Sequence, residues 1–218
     1  MKRPFRRRGV LATAVTGLAL ALTACGSDSP SATATSSSTT AGGSAAATPS
    51  PAPDAPFGPG CAAVPAEGPG SFVAMAAAPV ATAASGNPAL STVVQALTTA
   101  NLVDSLNTTP ELTVLAPANP AFDAVPPDAL HALMADNAQL TSLLLHHVIQ
   151  GRLTPDRLAG THTTLNNDQV TIERSGGSFT IAGEGTVVGT AASVVCGNVP
   201  TTNATVYVID QVLKPTAP

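Results

Sequence analysis

The side chains of this 218-residue chain that could carry chemistry are four histidines, three cysteines and thirteen carboxylates. His146 and His147 are neighbours at the apolar end of a helical stretch, Leu143-Leu-Leu-His-His-Val-Ile-Gln-Gly151. Adjacent helical residues point about 100° apart, so the pair does not chelate one metal ion by itself. His131 or His162 would have to supply a third ligand by coincidence of folding. The pattern fits a structural pair better, with one imidazole buried on a backbone partner and the other facing solvent or a neighbouring loop. Asp123, Asp128 and Asp136 fall where helices start, and a carboxylate there favours the helix macrodipole. They read as caps or first-turn charges, not as an acid/base pair. Asp210 interrupts an apolar strand, where an acid either faces water or is paired; alternation along the strand favours water.

The motifs of common catalytic sites are missing. There is no Gly-x-Ser-x-Gly elbow, no His-Glu-x-x-His helix and no P-loop. Gly183-Glu-Gly185 with Gly189 imitates a dinucleotide loop. Its last glycine comes one residue late, no strong strand precedes it and no helix follows, so it reads as a hairpin turn. The expectation is a chain with no catalytic residue, no cofactor and no metal.

The cysteines speak of location. Lys2, Arg3, Arg6, Arg7 and Arg8 precede an uncharged stretch, Val10–Ala24. That stretch is too short and too rich in Ala and Thr for a membrane span, which takes about 20 strongly apolar residues. It ends in Leu22-Thr-Ala24 before Cys25, a bacterial lipobox pattern. Residues 1–24 are therefore expected to be a lipoprotein signal peptide, and Cys25 the lipidated first residue of the mature chain. The alternative is ordinary cleavage nearby, with Cys25 removed or free. Arg7-Arg8 also fits twin-arginine export, but basic leaders are common and the general route is preferred. With Cys25 lipidated, Cys61 and Cys196 remain as a disulfide pair, which an exported domain can keep. Two free thiols are the other reading.

Ser27–Gly60 is almost wholly Ser, Thr, Ala, Gly and Pro, interrupted only by Asp28, Asp54 and Phe57. Such a segment buries too little apolar surface to offset its ordering entropy. It is expected to be a disordered stalk extending about 30–35 Å, and its Ser/Thr content suits O-glycosylation. Loss of the leader leaves four basic against thirteen acidic residues, a formal charge of −9. That excludes a nucleic-acid partner reached through a basic patch. It also excludes electrostatic docking on anionic lipid, so membrane attachment rests on the anchor.

Residues 61–218 suit one domain with a core of Leu, Val, Ile and Ala. Short helical turns are expected over Ser71–Ala84 and a helix over Pro88–Leu106, capped by Asn87. A strand follows over Glu111–Ala116, then a turn capped by Asn119, then helices over Pro127–Ala135 and Asn137–Gln150. One helical turn at Thr154–Leu158 leads into a meander over Thr163–Leu165, Gln169–Arg174, Ser178–Ile181 and Thr186–Val188. Val206–Leu213 is the final strand. Helices first and strands later is an α+β order.

Three segments in one order add to this reading: Leu112–Pro126, Leu143–Gly151 and Val206–Pro215. Together they resemble the fasciclin (FAS1) domain family, with its two homology segments and intervening Tyr-His pair. With Gly58-Pro-Gly-Cys61 and Val194–Thr205, the chain is similar to the family's mycobacterial secreted immunogenic antigens and surface lipoproteins. It departs from the family pattern in having His146 where the tyrosine stands. The short integrin-binding sequence of animal members is not visible around Ala191–Val195. The resemblance implies an α+β domain with helices packed against a β-sandwich-like arrangement of short strands. It also implies that His147, at the family's histidine, is buried. By function it implies a non-catalytic module for adhesion or extracellular binding on the bacterial membrane, facing outward or secreted. The expected ligand is an extracellular protein, polysaccharide or lipid, and the expected state a monomer. The alternative is an exported carrier of a small apolar ligand. Gly151–Thr164 and Asn166–Asp168 are the expected binding loops, with Arg152, Arg157 and His162 as candidate contacts. Asn107-Thr-Thr and Asn203-Ala-Thr fit N-glycosylation sites but are discounted in a bacterial chain.

Overall fold

β-Branched and leucine side chains at Leu112–Pro117 and Ala204–Ile209 form two neighbouring interior strands, β1 and β7, side by side and parallel. They are drawn from the first and last of the three diagnostic segments. The computed structural model describes residues 55–215; the leader, Cys25 and most of the Ser/Thr-rich segment lie outside the described residues. The helices are α1 (Phe72–Ala76), α2 (Val80–Ser85), α3 (Ser91–Thr99), α4 (Val103–Thr108), α5 (Asn119–Asp123), α6 (Pro127–Ala135), α7 (Asn137–His146) and α8 (Pro155–Leu158). The other strands are β2 (Val148–Gln150), β3 (Gly160–Thr163), β4 (Gln169–Ser175), β5 (Ser178–Ile181) and β6 (Ala192–Pro200).

The strands form one seven-stranded sheet in the order β2-β1-β7-β6-β5-β4-β3. The α+β class stands, with one refinement of the sandwich-like picture. The sheet is continuous and curls until its edges meet, where Ile149 bridges Thr164 and the Leu165 amide donates to the Val148 carbonyl at 2.7 Å. An edge strand left open would expose unpaired backbone groups, and this closure covers both edges. Inside the curl lie Leu115, Ile149, Val170, Ile172, Phe179, Ile181, Tyr207 and Ile209. The outer face of β1, β7 and part of β6 packs against the helices through Leu112, Ala116, Ala204, Val206, Cys196 and Val199. The period of two along β1 and β7 feeds these two cores alternately.

Several elements differ from the sequence reading. Pro88–Leu106 is a 3-10 turn and two helices, because Asn101 takes a positive φ of 55° between α3 and α4. The helix expected to reach Gln150 stops at His146, and Val148–Gln150 turns into β2 against β1. Thr186–Val188 is no strand; Thr186 makes a single bridge to Leu213 after a 3-10 turn at Gly183–Gly185. The long β6 lacks simple alternation because two register shifts flank Cys196, and Ala192 and Val194 face the inner core while Cys196 and Val199 face the helices. Such bulges re-aim side chains without any compositional mark. Asp123 ends α5 instead of starting a helix, whereas Asp128 lies in the first turn of α6. Asp136 caps α7, accepting from the amides of Ala138 and Gln139.

The fold begins before Cys61. Phe57 bridges Gly197, exchanging backbone hydrogen bonds of 3.0 and 2.8 Å, and its ring packs 5.7 Å from Phe179 and 6.4 Å from Tyr207. Gly197 is obligatory at this crossing, since a Cβ would stand 2.6 Å from the Phe57 ring. The strap continues into a 3-10 turn at Pro59–Ala63, where Cys61 is disulfide-bonded to Cys196 with a Cα separation of 4.8 Å.

Candidate functional site

Among the described residues, the histidine pair and an apolar groove are candidate sites for function. The histidines end α7, whose apolar face (Leu140, Leu143, Leu144) is driven into the core. Both imidazoles are buried, His146 at 2% and His147 at 3% exposure. The His147 Nδ1–H donates to the Leu143 carbonyl at 2.7 Å, and its Nε2 accepts from the Leu213 amide at 3.0 Å. Its own carbonyl accepts from the Leu115 amide at 2.8 Å. One residue thus fastens α7, β1 and the segment after β7. Burial lowers the imidazole's pKa to about 4, outweighing the Leu143 carbonyl, which favours the proton.

His146 points the other way. Its Nδ1–H donates to Asp168 at 2.7 Å, in the turn between β3 and β4. The Thr164 hydroxyl and the Asn166 amide also donate to this carboxylate. Burial opposes the charge on Asp168, but these hydrogen bonds from Thr164, Asn166 and His146 outweigh it and hold the carboxyl below its ordinary range. Sequence reading placed Asp168 in an outward loop; it is folded back onto His146. The Asp–His contact resembles the orienting half of a general-base pair, but the imidazole is sealed from substrate and the nearby hydroxyl serves the carboxylate itself. Its work is to pin the β3–β4 turn to α7.

Tyr207, the chain's one tyrosine, is fully buried and donates its hydroxyl to the Leu153 carbonyl at 2.9 Å. Burial pushes its pKa upward. Nothing in its alternating strand context singles it out beforehand.

The remaining sequence candidates are not brought together. Arg152 donates to the carbonyls of Thr201 (3.3 Å) and Thr202 (3.1 Å) in the β6–β7 turn and lies 3.9 Å from Glu111. His162 contacts its own segment, Nε2 to the Leu158 carbonyl at 2.9 Å. Arg157 is exposed in the last turn of α8. Asp210 does not face water as expected: it is half-buried and accepts from the Ser193 amide at 2.7 Å, capping the β6–β7 pair. Both N-glycosylation-type asparagines are fastenings. Asn107 accepts from the Ala81 amide at 3.0 Å. Asn203 accepts from the Val80 amide at 2.9 Å and donates to Leu106 and Thr109 at 2.7 and 2.8 Å. Because Arg152 has structural partners, Arg152→Ala is expected to lower stability by about 0.5–1.5 kcal/mol. Arg157→Ala should stay within about 0.5 kcal/mol. Urea midpoints of the two single variants check this; equal midpoints would remove Arg152 from the fold's hydrogen-bonding frame.

The groove lies between α5, α6, α7 and the segment after β7. It has a volume of about 620 Å³ and is walled by Phe122, Val125, Leu130, Leu133, Leu143 and Val212, with Gln139, Ser142 and Lys214 as its polar lining. No sequence signal pointed to it, since its walls read as ordinary core candidates. Among the described residues no group of three or more His, Cys, Asp or Glu could hold a metal ion, and no helix is long and apolar enough to cross a membrane.

Comparison with known proteins agrees with this architecture. The fasciclin domain family matches residues 88–215. The cell surface glycolipoprotein MPB83 of Mycobacterium bovis is 45% identical over 168 residues, which cover 73% of this chain and 72% of that protein. The immunogenic protein MPB70 of Mycobacterium bovis is 42% identical over 168 residues, covering 73% of this chain and 82% of that one. Among solved structures, a FAS1 domain pair from the insect cell adhesion molecule Fasciclin I superposes with a TM-score of 0.51 at 17% identity. That match covers 66% of this chain and 52% of the insect one, so the chain spans about half of the domain pair. By the extent of the family match and the identity to these mycobacterial proteins, the chain belongs to the fasciclin domain family.

Proposed function

We propose that the chain is a non-catalytic binding or adhesion module of the bacterial cell surface, held to the membrane by a lipid on Cys25. The observation that carries this reading is the inward turn of the histidine pair. His146 and His147 are consumed in fastening the fold, and among the described residues no group of three or more His, Cys, Asp or Glu stands in their place. The kinship with a protein described as a cell surface glycolipoprotein supports the placement, as does the lipobox at Leu22–Cys25. Ser27–Asp54 is then the stalk, since Phe57 already belongs to the fold, with Ser and Thr in positions to carry sugar. The partner is an extracellular protein, polysaccharide or lipid, met by a monomer; the acidic balance of the mature chain speaks against nucleic acid. A second reading, an exported carrier of a small apolar ligand, draws support from the groove beside α6.

Cys25→Ser is expected to move the protein from the membrane fraction to the medium, or to leave it as uncleaved precursor. Fractionation with intact-mass measurement checks this. A variant that stays in the membrane at the mass of the mature, anchored form would exclude the lipid on Cys25.

A further inference from the structure

We infer that the groove between α6 and α7 binds a free single-chain amphiphile with an anionic head, a long-chain carboxylate, its tail on the apolar walls and its carboxylate on Lys214. This rests on the carrier reading and gives it a ligand class. The groove's volume, about 620 Å³, lies within the range of small-molecule sites, about 300–1,000 Å³. Its walls are apolar side chains from separate elements, which is how such sites exclude water from a ligand.

Helix α6 is the element that needs a partner. Its sequence, Pro127-Asp-Ala-Leu-His-Ala-Leu-Met-Ala135, places Leu130, Leu133 and Met134 on one face at helical spacing. Yet α6 buries none of its residues, and these three remain half-buried. An amphipathic helix normally hides that face; here Leu130 and Leu133 line the groove, while Met134 packs against the core. An alkyl chain in the groove would complete the burial.

The head group follows from charge. Lys214 is the only charged residue among the described residues lining the groove, and it is the only lysine outside the leader. The acids of the flanking helices, Asp123, Asp128 and Asp136, are not part of the lining; Asp128 and Asp136 serve the starts of α6 and α7. His131 of α6 is exposed and also outside the lining. In a mature chain of formal charge −9, a cation at the rim of the apolar groove favours an anionic head and disfavours a cationic one. His147 steadies this rim, because its Nε2 holds the Leu213 amide between Val212 and Lys214.

The test is calorimetric titration of the whole mature chain, carrying Cys25→Ser so that no anchor lipid competes. Hexadecanoate is added below its aggregation threshold. Saturable binding of one hexadecanoate per chain is expected, tighter than octanoate by more than tenfold, since each buried methylene contributes about fourfold. Hexadecyltrimethylammonium should bind more weakly than hexadecanoate, and Lys214→Glu should reverse that order. Leu130→Trp, which fills the groove from a half-buried position, should abolish binding while leaving circular dichroism and the urea midpoint unchanged. Absence of saturable binding would overturn the inference. So would equal binding by a folded Leu130→Trp variant, or binding to phosphatidylglycerol vesicles without binding to free hexadecanoate. Surface placement is measured separately on cells, so its failure and the failure of the groove are told apart.

Discussion

Replacing Cys61 and Cys196 together by serine is expected to lower the unfolding free energy by about 2–5 kcal/mol, the usual cost of losing a native disulfide from an exported domain. The bond closes a loop with a sequence separation of 135. In the chain-entropy picture, cross-linking so long a loop removes denatured-state freedom worth about 5 kcal/mol, which sets the ceiling. The observed value should fall below it, because the strap keeps other attachments. Phe57 retains its paired hydrogen bonds to Gly197 and its contacts with the Phe179 and Tyr207 rings. Urea denaturation of the double variant, beside the parent with and without reductant, measures the effect. The reduced parent and the variant should share one midpoint, well below that of the oxidised parent. Coincidence of all three midpoints would show that the strap holds without its disulfide.

His147→Ala should cost about 2–4 kcal/mol through a buried cavity and an orphaned Leu213 amide. The same side chain makes the fold acid-sensitive. Its folded pKa is about 4 against an ordinary 6.5, so the unfolded chain takes up the proton first as pH falls. The His147 contribution is therefore present above pH 6.5 and lost as pH falls to about 4. The loss amounts to about 3 kcal/mol over that window. Asp168 acts in the same direction at lower pH, because its depressed carboxyl gives up its stabilisation when protonated. Urea midpoints from pH 7 to pH 4 should fall steeply for the parent and less steeply for His147→Ala. Parallel slopes would place the acid sensitivity elsewhere.

The legible part of the fold was the part built on local pattern. Leu112–Pro117 and Ala204–Ile209 carry continuous apolar and β-branched runs, and they are the parallel pair of strands inside the sheet. Asn87 and Asp136 announced caps by residue type, and each accepts the expected amides. The cysteine pairing followed from counting, and Cys61 and Cys196 are joined.

What escaped depends on contacts between distant segments. The register shifts of β6 leave no mark in composition, so its change of face around Cys196 could not be read. Val148–Gln150 continues the apolar run of α7, and only pairing with β1 makes it a strand. Arg152 and Asp168 are polar residues in turn-rich stretches and read as free surface. Each is instead engaged, Arg152 by carbonyls 49 and 50 positions away and Asp168 by a histidine 22 positions away. The groove escaped because its walls differ from core residues only in what fails to cover them.

Limited proteolysis of intact cells tests the central claim, a fasciclin domain held outside the cell by its N-terminus. Protease added to unbroken cells should release a soluble fragment cut within Ser27–Asp54, carrying Cys61 and Cys196 still disulfide-bonded. The acylated Cys25 peptide should stay with the membrane. A domain that is protected until the cells are lysed would contradict the account.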